Sequence, residues 1–309
     1  MMFWEKKGII YEPPFDGSWK DNSALTPTAI QVEDRVIRIY ASFRDQSGVG
    51  RIGYVDVDAN NPKDIIGVSE KPVLDIGLPG MFDDNGMILG DLVHVDDALY
   101  MYYVGFQIVT KVKFLAYSGL AISRDGGNTF ERFSSTPVMD RCEEAKYIRA
   151  IHSVTYENGR FRVWYATGNG WEKINGASYP QYDINYVESD DGLSFGFGKK
   201  VVQNNEKNGE YRIGRPRVYR LGNRYIMNFT YGAKDGRYVA GQATSPDGYV
   251  WTRDDSRIGI APSARGWDSK HLSYPCVIQT NQGRLFMFYN GNDMGVDGFG
   301  YAELKGSSV

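Results

Sequence analysis

The sequence predicts an all-β protein built from a repeated antiparallel unit. Three observations carry the prediction. Aromatic residues make up 14% of the 309 residues and glycine is abundant at 36, while blocks of helix-forming Ala, Glu, Lys and Leu are missing. Five apolar stretches recur: RVIRIYASF (35–43), ALYMYYVGF (98–106), RFRVWYATG (160–168), RYIMNFTYG (224–232) and RLFMFYNGN (284–292). They align without gaps on Tyr40, Tyr103, Tyr165, Phe229 and Tyr289, at intervals of 63, 62, 64 and 60 residues. Third, Ser-x-Asp-Gly followed by an aromatic is written at 123–130, 189–195 and 245–251. Near-constant spacing of this kind marks a repeat architecture.

Each apolar stretch reads as the second strand of its unit. TPTAIQV, GDLVHV, AIHSVTYE, RPRVYRL and YPCVIQT precede them as first strands, joined by turns such as ENGR (157–160) and NQGR (281–284). Third strands follow as RIGYVDV, SGLAIS, INYVES, VAGQATS and GFGYAEL. In the three middle units the Ser-x-Asp-Gly turn comes next. Asp bonds the backbone ahead of it and Gly accepts positive φ, so Asp125, Asp191 and Asp247 read as structural. The turns lead into fourth strands FERFSSTPVM, FGFGKKVVQ and WTRDDSRIGIAPS. Four-stranded antiparallel units repeated radially form a β-propeller. The expectation is a five-bladed propeller with four-stranded antiparallel blades, one domain over residues 1–309, since no linker interrupts the count. The fifth unit lacks a fourth strand, and FWEKKGIIYEP (3–13) is expected to pair with it, closing blade five and removing an exposed edge.

Charge and composition exclude several classes. A net charge of -3 argues against a nucleic-acid partner, and no apolar run is long enough for a membrane span. Charges fall in MMFWEKKGIIYEPP where a secretory signal has its apolar core, so a cytoplasmic location is expected. Cys142 and Cys276 suit a reducing compartment and offer no zinc spacing. No metal or cofactor is expected.

Innermost strands of a propeller line its axis, so the residues at their entries are the candidate site. They include Asp21 in unit one, Asp83, Asp84 and Asp91 in unit two, and Glu144, Arg149 and His152 in unit three. Unit four adds Glu210, Arg212 and Arg215; unit five adds Asp268, His271 and Tyr274. Carboxylates recurring at all five entries suit general acid–base work on a glycosidic bond. Arginines beside them suit tuning a carboxylate or gripping an anion. Trp19, Trp171, Trp267 and Tyr274 offer flat faces for a sugar ring. Asp84, Glu210 and Asp268 stand first, each beside Gly, Arg or Trp at a strand entry. The competing reading makes these acids ordinary turn residues, His152 a buried structural histidine, and Arg44 part of a turn.

Longer stretches now carry a resemblance. IRIYASFRDQSGVGRIGYVDVD, KPVLDIGLPGMFDDNGMILGDLV, GLAISRDGGNTFERF, YVESDDGLSF, EYRIGRP and GWDSKHLSYP with YNGNDMGVDGFGYAEL resemble the five-bladed propeller glycoside hydrolases, the group of arabinanases, xylosidases, invertases and mannoside phosphorylases. They are more closely similar to a branch of bacterial proteins from surface-polysaccharide gene clusters. The resemblance covers nearly the whole chain and implies a triad of inner-strand acids. Carried onto this sequence, Glu210 is the acid, Asp84 or Asp91 the tuning group, and Asp21 or Asp268 the base. Arg44, Asp83, Asp91, Arg149, His152, Trp171, Arg215, Trp267, His271 and Tyr274 are then the expected substrate-binding residues. The expected function is a glycoside hydrolase acting on a bacterial glycan. A phosphorylase or glycosyltransferase, with Arg149, Arg212, Arg215 and His271 holding phosphate, is the alternative, as is a non-catalytic glycan-binding propeller.

Overall fold

The computed structural model describes residues 2–306 and is all-β apart from three short 3-10 turns. Strand β1 (Trp4–Tyr11) comes first. Unit one follows as β2 (Ser23–Glu33), β3 (Val36–Arg44), β4 (Gly50–Asp58) and β5 (Ile65–Val68). Unit two is β6 (Met87–Val95), β7 (Ala98–Gln107), β8 (Leu115–Ser123) and β9 (Glu131–Arg132). Unit three is β10 (Ile148–Glu157), β11 (Arg160–Ile174), β12 (Ala177–Ser189) and β13 (Lys199–Val202). Unit four is β14 (Glu210–Leu221), β15 (Arg224–Ala233), β16 (Tyr238–Ser245) and β17 (Thr252–Arg253). Unit five is β18 (Ser273–Gln279), β19 (Leu285–Asn290) and β20 (Phe299–Leu304), with β1 antiparallel on β20 as its fourth strand.

Within every unit, consecutive strands pair antiparallel in chain order. Units one and five are separate four-stranded sheets, whereas units two, three and four share one sheet. What joins them is slight: β8 meets β10 in parallel at two residue pairs, and β12 meets β14 only at Tyr182 and Arg212. The fourth strands β9 and β17 have two residues each, far shorter than expected. A short outer strand limits the unpaired edge offered to other chains.

Apolar clusters sit between successive units. Tyr40 and Ile52 of unit one pack with Leu89 and Met101 of unit two; Tyr102 and Leu120 pack with Ile151 and Val163; Trp164 and Ile184 pack with Ile213 and Met227. The series returns on itself, because Ile39 and Phe43 of unit one pack with Phe286 and Phe288 of unit five. Burying each such side chain contributes about 1.5–3 kcal/mol.

The repeated turns latch neighbouring units together. Tyr40 OH donates to Gly127 O at 2.7 Å, Tyr102 OH to Gly192 O at 2.8 Å, and Trp164 Nε1 to Gly248 O at 3.2 Å. Each donor belongs to the unit before the turn it reaches. Gly127 has φ 87°, and an added Cβ would collide with the Tyr40 hydroxyl. Asp125, Asp191 and Asp247 cap the turns as expected: Asp191 Oδ1 accepts from Leu193 N and Ser194 N, both at 2.8 Å. The latch corrects the repeat register in unit one. Tyr40 is opposite Thr28 as Tyr102 is opposite Asp91, so Ala41, not Tyr40, matches Tyr103.

All five first strands bulge at one level. Pairing skips between Leu25 and Thr28, Leu89 and Asp91, Ile151 and Ser153, Gly214 and Arg217, and Ser273 and Cys276. Pro27, Pro216 and Pro275 occupy three of these bulges, where a missing N–H costs no ladder bond. Thr26, Arg215 and Tyr274 carry φ of 54, 52 and 56°. Such left-handed backbone at non-glycine residues costs about 1–3 kcal/mol and re-aims a side chain.

Candidate functional site

The bulges put their side chains into one cavity of about 480 Å³ that every unit helps to line. Thr26 and Arg44 come from unit one, Met87 and Phe106 from unit two, His152 from unit three, Arg212, Arg215 and Tyr238 from unit four, and Tyr274 from unit five. Beneath it the space narrows to about 10 Å³ between Pro27, Gly90, His152, Pro216 and Pro275. Among the described residues no Asp or Glu lines the larger cavity.

Its floor is a coupled pair. Arg215 Nη1 lies 3.1 Å from His152 Nδ1 and also donates to the Leu89 carbonyl. A guanidinium only donates, so Nδ1 accepts and the imidazole proton sits on Nε2. Burial, and then the Arg215 charge, push His152 well below its ordinary pKa and keep it neutral. Burial lowers Arg215 to about 10, still protonated at neutral pH. Arg44 closes β3, and its guanidinium has no hydrogen-bond or ion-pair partner among the described residues; burial lowers its pKa too. Arg212 lies over the rings of Tyr238 at 4.3 Å and Tyr211 at 5.1 Å, with its buried Nε unpartnered. Tyr238 OH donates to Tyr274 OH at 3.0 Å. Three guanidiniums and several aromatic faces, with no Asp or Glu beside them in the lining among the described residues, are chemically suited to an oxyanion carried on a flat or ring-shaped body.

Of the candidate residues, Arg44, His152, Arg212, Arg215 and Tyr274 converge here. His152, an expected substrate-binding residue that the competing reading made structural, reaches the cavity because it occupies the β10 bulge. The acids do not converge. Asp21 is buried and accepts from Gly17 N, and Asp84 accepts from Gly80 N at 2.8 Å, both as turn caps. Asp83 is fully buried against Arg132 at 2.8 Å. Asp91 pairs with Arg217 and accepts from Leu92 N at 2.7 Å and Val154 N at 2.8 Å, tying together β6, β10 and β14. Glu210 gives both oxygens to Arg253 at 2.8 Å, in clefts of about 920 and 950 Å³ between units three and four. Asp268 accepts from Lys6 at 2.6 Å and Tyr289 OH at 3.1 Å, fastening β1 to unit five.

The remaining residues support rather than line. Arg149 donates to the Asp140 and Gly196 carbonyls. Trp171 backs Phe114, a cavity residue, edge to face at 5.2 Å. Trp267 stacks on Tyr289 at 5.0 Å, and His271 Nδ1 accepts from Asp293 N at 3.1 Å. Sequence reading missed Thr26, Tyr179, Tyr182 and Tyr238. Tyr179 and Tyr182 come from the long β11–β12 hairpin, which rises past the paired core of its unit. Among the described residues no group of three or more His, Cys, Asp or Glu is placed to hold a metal ion, and no helix is long and apolar enough to cross a membrane.

Solved structures share this architecture. A glycoside hydrolase superposes with a TM-score of 0.74 at 18% identity, covering 99% of this chain and 93% of that one. A glycosyl hydrolase from Bacteroides ovatus gives 0.68 at 15% identity over 97% and 93%, and a thermostable family-43 glycoside hydrolase 0.67 at 16% over 96% and 91%. The fold is therefore that of glycoside hydrolases, and at these identities the likeness is one of fold. No protein-family profile matches the chain. Uncharacterized protein Rv1502 of Mycobacterium tuberculosis (strain ATCC 25618 / H37Rv) is 33% identical over 304 residues, 98% of this chain and 100% of that protein; MT1551 of strain CDC 1551 / Oshkosh matches equally. The chain belongs to the family of these two mycobacterial proteins.

Proposed function

We propose that residues 1–309 form a single five-bladed β-propeller that binds an anionic carbohydrate, or a sugar together with inorganic phosphate, in its central cavity. The propeller reading is supported by the apolar clusters that run from unit to unit and return from five to one. One observation carries the functional reading: Arg44, Arg212 and Arg215 line a cavity that no carboxylate enters among the described residues. Arg44 and Arg215 grip the oxyanion, the His152 Nε2–H donates to it, and Tyr182 and Tyr238 face the sugar ring.

This favours the phosphate-using or anion-recognising alternative over hydrolysis by a carboxyl pair. A glycosidase needs two carboxyl groups about 5–10 Å apart across the bond it cleaves. Glu210, Asp84, Asp268 and Asp21 are instead engaged with partners in four separate places.

Calorimetric titration and thermal shift with inorganic phosphate, hexose 1-phosphates and hexuronic acids test the reading. Binding raises the melting temperature by mass action, and Arg44→Gln and Arg215→Gln should each remove the effect. Anions that never bind, or that bind both variants unchanged, refute it.

A further inference from the structure

Units three and four leave a second, lateral cleft of about 920 Å³, which shares Tyr182 with the central cavity as a common wall. Its hydrogen-bonding groups are unbalanced. Asn185 is only 6% exposed, yet its Oδ1 has no partner. Thr167 Oγ1, Asn204 Oδ1 and Glu144 Oε2 are also buried without partners, and all four residues line this cleft. The Asn204 amide is oriented by its other end, where Nδ2 donates to Tyr182 O at 2.8 Å and Asp183 Oδ1 at 2.9 Å. A buried acceptor left unmet costs about 1–3 kcal/mol. Native interiors tolerate few of them, so four around one cleft mark a place where a ligand supplies donors.

Charge narrows the ligand. The cleft carries Glu144, Glu172, Asp183, Glu206 and Glu210 against two lysines. Both lysines are taken, Lys234 by Glu172 at 2.7 Å and Lys200 by Asp183 at 2.6 Å. An anion is repelled, whereas the central cavity attracts one. A bound metal ion is not what the carboxylates are arranged for, since no three of them are gathered at ligating geometry among the described residues.

We propose that this cleft is a second carbohydrate site, which takes a polyhydroxylated sugar residue without anionic groups. The sugar hydroxyls donate to Asn185 Oδ1, Asn204 Oδ1 and Glu144 Oε2, and Thr167 Oγ1 exchanges a bond with them. The protein therefore offers two sites of opposite chemistry on either side of Tyr182: one supplies donors, the other acceptors.

Saturation-transfer NMR and calorimetry on the full chain with glucose, mannose, galactose and glucosamine test the assignment. At least one of these should bind, and Asn185→Leu or Thr167→Val should weaken it by at least about tenfold. Asn185→Asp keeps the acceptor and should retain binding. Arg44→Gln separates the sites, because it removes a group of the central cavity only. If Asn185→Leu does not fold, Asn204→Ala reads the same acceptor set. The assignment is overturned if none of the four sugars binds, if binding survives both Asn185→Leu and Thr167→Val, or if it disappears in Arg44→Gln. Failure here leaves phosphate binding in the central cavity untouched, and the reverse also holds.

Discussion

Asp91→Ala should cost the fold more than any substitution within the cavity. Asp91 is 1% exposed and meets Arg217 from β14, Val154 N from β10 and Leu92 N from its own strand. Burial works against the Arg217 charge and Asp91 more than restores it, holding the guanidinium above its ordinary pKa. Removing one partner of such a pair leaves a buried charge uncompensated, at about 3–5 kcal/mol. At about 2.1 cal/mol/K per residue, the unfolding entropy of a 309-residue chain turns that into a fall in melting temperature of about 5–8 °C. Asp91→Asn keeps one acceptor and should lose less, about 1.5–3 kcal/mol, the worth of a hydrogen bond to a charged group. Thermal unfolding followed by circular dichroism and calorimetry measures both, with phosphate titration alongside. A variant that keeps its melting temperature within about 1 °C and loses phosphate binding would move Asp91 from the scaffold into the site and refute the reasoning.

Three further outcomes follow from the same contacts. Gly127→Ala should destabilise by about 1–3 kcal/mol, as an added Cβ meets Tyr40 OH at a positive φ, and Tyr40→Phe should recover part of the loss in the double variant. Lys6→Met should cost about 2–3 kcal/mol by leaving Asp268 buried with only the Tyr289 hydroxyl, and amide exchange should report the opening first in β1. The turn carboxylates set an acid limb. Desolvation works against Asp125, but bonds from Thr129, Ser123 and Asn128 bring it down to about 2. Hydrogen bonds likewise lower Asp191 and Asp247. A depressed carboxylate stabilises the fold above its unfolded pKa of about 3.9 and ceases to as pH falls through its folded value. Stability measured between about pH 4 and pH 2 should decline, and Asp125→Asn should flatten that decline.

The all-β class and the four-strand pairing order were legible because they rest on local periodicity and spacing, and the β1–β20 contact because unit five lacked a fourth strand while β1 was left over. The site was legible only in part. Asp21 and Asp84 look catalytic in a string of letters, but a short carboxylate in a turn is captured by the nearest backbone amide, Gly17 or Gly80. That Glu210 is held by Arg253 in a lateral cleft rather than in the central cavity depends on a pairing 43 residues away, which no local pattern encodes. A usable signal was present in TPT, RPR and YPC. A proline inside an innermost strand demands a bulge, and the residue before it is the one turned inward: Thr26, Arg215 and Tyr274. The one-residue slip in unit one escaped because Ala41 stands where the other units carry an aromatic.

The pairing of β1 with β20 also sets a clock for synthesis. Tyr11 is made before its partner Phe299, which emerges 288 residues later. At about 5–20 residues per second the first strand waits roughly a quarter of a minute to a minute for the edge it completes. Throughout that interval the translating chain exposes Ile10 and Tyr11, which end up buried in the seam between units five and one, and Trp4, which ends up buried between units four and five. β1 can dock only after the ribosome has delivered β20, so a pairing of such long sequence separation pays a large loop-closure cost before its contacts reward it.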